Sequence, residues 1–146
     1  MNSPRDFELV AVTIQVEGRP DIPVLLPPED RGDPDDERPQ PAPLTLREGT
    51  EFRVRLAFSV RSRHDIDGLR YIDERSRQGV TMTHRETLLG DYRPGGPYEI
   101  VLPAEHLPTG HLARDVYQVT GTFVDKEGQE LGRETHSFEI TKDLPH

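Results

Sequence analysis

Apolar residues in this chain recur at every second position rather than every third or fourth. In residues 52–60, FRVRLAFSV, the side chains of Phe52, Val54, Leu56, Phe58 and Val60 alternate with Arg53, Arg55, Ala57 and Ser59. Successive side chains of a strand point to opposite faces, so the segment presents one core face and one wet face. Residues 7–17, FELVAVTIQVE, set Phe7, Leu9 and Ala11 at one parity and Val10, Val12, Ile14 and Val16 at the other. A first strand is predicted there, with the second set as its better apolar face. Residues 69–75, 79–89 and 98–102 read as further strands, the last preceded by a Gly/Pro turn in GDYRPGGP. Tyr117, Val119, Gly121 and Phe123 share a face, DKEG at 125–128 makes a turn, and the final strand ends in Phe138 and Ile140. PAEHLPTG is too short and too rich in proline for a long helix. Short strands with turn signals at roughly 8 to 12 residue spacing predict an antiparallel sandwich or barrel, the sandwich being preferred. Its expected core is Ile14, Phe52, Val54, Leu56, Phe58, Tyr117, Val119, Phe123, Phe138 and Ile140.

One segment breaks the pattern. Residues 27–43, PPEDRGDPDDERPQPAP, hold six prolines and no aliphatic side chain larger than alanine, so they can neither sustain a ladder nor bury themselves. Their acidic run lacks the ligand spacing and turn glycine of a calcium loop, and a solvated surface loop is expected. The length of 146 residues suits a single domain spanning 1–146. With 27 acidic against 18 basic residues, the net charge of −9 argues against a nucleic-acid partner. The absence of cysteine excludes disulfides and thiolate chemistry. The N-terminal residues lack the basic and apolar regions of a signal peptide, and no apolar run approaches 18 residues. A soluble cytoplasmic protein, not an integral membrane one, is therefore expected. Arg outnumbers Lys 16 to 2, a bias that GC-rich coding produces and that hints at a bacterial source.

Catalysis would have to be built from six dispersed histidines (64, 84, 106, 111, 136 and 146) and scattered carboxylates. The chain carries no P-loop, nucleophile elbow, HExxH or GxGxxG, and His106 and His111 match no common metal spacing. No enzyme, metal or cofactor is expected. A sandwich offers a different device: where its sheets splay, the apolar interior becomes a slot for a hydrophobic ligand.

Several stretches carry a family likeness. Residues 46–60 (LREGTEFRVRLAFSV), 68–72 (GLRYI), 77–80 (RQGV), 89–94 (LGDYRP) and 108–114 (PTGHLAR), with Tyr117 and Phe123, follow one another in a familiar order. They resemble the C-terminal immunoglobulin-like domain of the Rho GDP-dissociation inhibitors, best over residues 44–125. The resemblance implies an all-β, immunoglobulin-like antiparallel sandwich of nine strands that takes the prenyl tail of a small GTPase between its sheets. Matched position by position, the pocket falls on Phe58, Leu112 and Val119, with Ile14 and Tyr92 as looser matches. Inward apolar side chains are also what any closed core contains, so the same residues fit a plain core. Glu105 matches an acidic position and would meet a basic tail beside the lipid, or else is one solvated carboxylate.

Departures from the family are equally informative. Only about six residues precede the first strand, so the arm that clamps the GTPase switch regions has no counterpart, and full inhibition of nucleotide release is not implied. The chain has one extra residue around Arg61 to Asp67. Where the family has bulky tryptophans, this chain has Glu134 and His136, sharing parity with Phe138 and Ile140. A buried carboxylate is costly unless paired, so the sandwich is either open and wet there or the two pair, unless the strand end turns both to solvent. The alternative to a prenyl carrier is an immunoglobulin-like interaction module with a closed core and no lipid ligand, recognising partners by an edge strand or loops.

Overall fold

The computed structural model describes residues 4–24 and 43–142; the acidic, proline-rich stretch lies outside the described residues except for Pro43. Among the described residues, ten strands run in chain order: β1 (Phe7–Val16), β2 (Ile22–Val24), β3 (Leu44–Arg47), β4 (Glu51–Val60), β5 (Ile66–Arg77), β6 (Val80–Tyr92), β7 (Gly95–Val101), β8 (Glu105–His106), β9 (Val116–Val124) and β10 (Glu130–Thr141). One sheet has the order β2-β1-β4-β7, with β8 taking over from β7 along β4 at Glu51 and Phe52. The other has the order β3-β10-β9-β5-β6, in which β3 lies parallel to β10 and the remaining neighbours are antiparallel. The fold is thus an all-β, immunoglobulin-like sandwich, with two open sheets burying their facing sides as period-two patterning requires.

All ten expected core residues are buried. The first strand departs from its simple alternation in one respect. A bulge between Leu9 and Ala11 resets the register against β4, so Phe7 is buried before it, Val12 and Ile14 after it, and Val10 is left 46% exposed. The short β2, β3 and β8 carry too few residues to announce themselves by alternation.

The interior divides into two ends. At the end where β1 begins and β4 finishes, Phe58 stacks 5.4 Å from Phe7 and meets Tyr92 edge-on at 4.9 Å, with Phe123 at 6.3 Å. This aromatic plug is closed. Tyr71 joins it through Phe123 and packs its phenol end against Gly121, where a Cβ would collide with it. At the other end, where β1 finishes and β4 begins, the packing changes character.

Candidate functional site: a charged slot between the sheets

A cavity of about 30 Å³ separates the sheets at that second end. Ile14, Phe52, Val54, Leu102 and Glu105 wall it from the first sheet; Leu44, Leu46, Tyr71, Asp73, Arg75, Val119, His136 and Phe138 wall it from the second. Pairing of Ile14 with Val54 across β1 and β4, and of Val119 with His136 across β9 and β10, sets these residues at one depth.

Charge enters the slot by parity. On β5, Leu69 and Tyr71 are buried, and Asp73 and Arg75 continue the same inward face. The Arg75 guanidinium lies between two rings, 5.7 Å from Phe52 and 5.9 Å from Phe138. It donates to Asp73 Oδ2 at 3.0 Å and to Glu105 Oε2 at 2.8 Å, the latter on the opposite sheet. Arg85 of β6 reaches the other Glu105 oxygen at 2.6 Å. Asp73 Oδ1 and Arg75 Nε are both buried and lack a hydrogen-bond partner. A cavity of this size holds roughly one or two waters, and a water there could serve both atoms.

Although burial opposes its charge, the Asp73 and Glu105 carboxylates together hold Arg75 protonated above its ordinary value. Asp73 nevertheless has its carboxyl pushed above the usual 3.8, by burial first and by the Glu105 charge as well, with Arg75 only partly offsetting both. The two directions are compatible because one guanidinium serves two carboxylates. A raised value means that Asp73 favours the fold most below 3.8, and that this contribution is lost as pH rises through its folded value. Asp73→Asn removes that loss. Its urea midpoint, relative to the parent, is expected to improve as pH is raised across the acid range and then level off. A difference that stays flat with pH would contradict the assignment.

Glu134 and His136 both face inward. The Glu134 side chain is 1% exposed and its Oε2 lies 2.9 Å from His136 Nδ1, so the two pair rather than open the sandwich to water. Burial, reinforced by the neighbouring Glu134 charge, pushes the Tyr71 phenol far above its usual range. Of the residues expected at a ligand site, Ile14, Val119, Glu105 and His136 line the cavity. Phe58 and Tyr92 belong to the aromatic plug: on β4, Phe58 stands four residues, or about 13 Å, beyond Val54. Glu134, paired to His136, is outside the lining. Leu112 sits on a 3₁₀ turn, His111–Ala113, and is 84% exposed, which takes it out of the slot. Its carbonyl instead accepts from Arg77 at 2.6 Å.

Other motif residues hold the frame. Glu48, of the LREG stretch, accepts from Arg114 Nε at 3.0 Å and from the Gly110 amide at 2.9 Å, tying the 108–114 segment to the end of β3. That arginine, with the amide, draws the Glu48 carboxyl below its usual value. Among the described residues, no cluster of three or more His, Asp or Glu side chains could hold a metal ion, and no helix is long and apolar enough to cross a membrane.

Comparison with known proteins places this geometry. The family model described as RHO protein GDP dissociation inhibitor matches residues 1–143. Rho GDP-dissociation inhibitor 1 of Arabidopsis thaliana is 33% identical over 129 residues, covering 88% of this chain and 50% of that protein. The Rho GDP-dissociation inhibitor of Schizosaccharomyces pombe is 30% identical over 143 residues, covering 97% of this chain and 67% of its own length. The human Rho GDP-dissociation inhibitor 1 is 35% identical over 85 residues, 58% of this chain and 41% of that one. The chain thus spans about half the length of the Arabidopsis relative. In fold alone it is similar to the crystal structure of the C-terminal domain of wzt, with a TM-score of 0.57 at 12% identity over 95% of this chain and 75% of that one. Sandwich, ordered motifs and family match agree: the chain belongs to the Rho GDP-dissociation inhibitor family.

Proposed function

We propose that this protein is a cytoplasmic carrier that takes a prenyl or similar apolar chain of a small GTPase into the slot between its sheets. The observation that carries the reading is the cavity bounded by Ile14, Val54 and Leu102 on one sheet and Val119 on the other, in a member of this family. Inhibitors of nucleotide dissociation are regulators, not enzymes, and the reading needs no catalytic group or cofactor. Clamping of the switch regions falls to a separate arm in the family the sequence resembles. The sandwich is the part proposed to sequester the lipid. Glu105 is the side chain proposed to meet a basic tail, since it stands at the slot and on the opposite sheet from its two arginines.

The slot is small. At about 30 Å³ it admits a farnesyl-sized chain only if the sheets move apart, and every methylene then buried contributes about 0.8 kcal/mol, less the cost of ordering and of opening. The same small volume supports the competing reading, an interaction module with a closed core. Calorimetric titration with an S-farnesylated peptide beside its unmodified control separates the two. Saturable binding of the lipidated peptide alone is expected; equal, negligible heats from both would leave the module.

A further inference from the structure

We propose that Arg75 and Arg85, by gripping Glu105 across the sheets, latch the slot shut, so that they determine which chains can enter it. The segment carrying Glu105 is held by few backbone pairs. β8 has only two residues and pairs with β4 only at Glu51 and Phe52. Leu102, whose amide donates to Val54 at 2.8 Å, marks the start of the strap; Leu107, buried and donating to the Thr50 carbonyl at 2.9 Å, marks its end. Between them, Glu105 crosses to the other sheet, and its ion pairs with Arg75 and Arg85 draw the strap over the cavity. So short a ladder has little stability of its own, and local opening starts at such elements. Widening the slot for an apolar chain separates Glu105 from both arginines.

The grip has unequal halves. Arg75 is largely buried and keeps Asp73 when Glu105 leaves. The Arg85 side chain is 61% exposed and among the described residues it ion-pairs with Glu105, so its half is the weaker one, exchangeable for another cation at small cost. A chain that brings a cation beside its apolar part replaces Arg85 on Glu105; one with a neutral flank has to open the latch unaided. This inference rests on the lipid-carrier reading for its consequence, but the latch itself is a property of the empty protein.

The test uses Arg85→Gln, Glu105→Gln and the conservative Arg85→Lys in the full chain, with amide hydrogen exchange and stopped-flow binding. The thermal midpoint of Arg85→Gln is expected to stay near the parent's, because the pair is solvent-exposed on the arginine side. Exchange of the Leu107 amide should be several-fold faster in Arg85→Gln and Glu105→Gln and return to the parental rate in Arg85→Lys. An S-farnesylated peptide with a Gly/Ser flank should associate several-fold faster with Arg85→Gln than with the parent, whereas one with a Lys flank should gain less. Unchanged Leu107 exchange in both neutral variants would overturn the latch, as would equal association rates in proteins that do bind the peptide. Faster exchange with no peptide bound by any form would leave the latch standing and remove the lipid reading instead.

Discussion

Replacing Phe58 by Ala is expected to lower the unfolding free energy by about 3–5 kcal/mol. The ring is fully buried and touches four others, with Phe7, Tyr92, Tyr98 and Phe123 all within 6.3 Å between ring centres. Its removal takes away both apolar burial and the packing that closes one end of the sandwich, and the surrounding rings belong to both sheets and cannot collapse freely. Since domains of this size are held by about 5–15 kcal/mol, the loss is a large share of the total. In urea the midpoint should fall by about 2 M with the slope unchanged. Phe58→Leu should cost far less, because most of the volume stays. The residue that remains folded should still bind whatever the slot binds, because the plug and the cavity lie at opposite ends of the sandwich. An unchanged midpoint for Phe58→Ala would contradict the core assignment.

Replacing Arg75 by Met is expected to cost about 3–5 kcal/mol for a different reason. Methionine can fill the space between Phe52 and Phe138, so packing is largely kept. Asp73 and Glu105, with side chains only 13% exposed, would however face each other across the slot without the guanidinium between them. Neutralising the carboxylates should reverse the effect, Asp73 having lost its ion-pair partner and Glu105 keeping only the exposed Arg85: with Asp73→Asn and Glu105→Gln added, most of the loss is expected to return, since neutral groups need no counterion. Thermal or urea unfolding of the single and triple variants decides it. A single variant as stable as the parent would mean that Arg75 does not neutralise the slot.

How far the sequence could be read depended on which physical rule governed each residue. Alternation, together with the family likeness, placed the ten core side chains, and parity put Glu134 and His136 on the inward face, because one-sided burial enforces parity along a strand. The same alternation runs through Tyr71, Asp73 and Arg75 and carries two more charges inward, a signal masked by their polarity. Local pattern could not reveal the bulge at Leu9 and Ala11, which depends on pairing with β4. Nor could it reveal that Glu105 meets arginines 30 and 20 residues away. Family likeness identified the fold, since motif residues such as Glu48 and Arg114 bind each other to hold it. The likeness was a poorer guide to the slot. Leu112 carries the motif yet is exposed, and of the charged lining only Glu105 matches a family position while His136 is a departure.

Methyl-resolved NMR with an S-farnesylated peptide locates the lipid chain in the protein. The predicted result is saturable shifts at the Ile14, Val54, Leu102 and Val119 methyls, with Val80 and Leu88 on the exposed edge strand β6 unmoved. Shifts confined to Val80, Met82 and Leu88, or no shifts at any of these methyls, would contradict it.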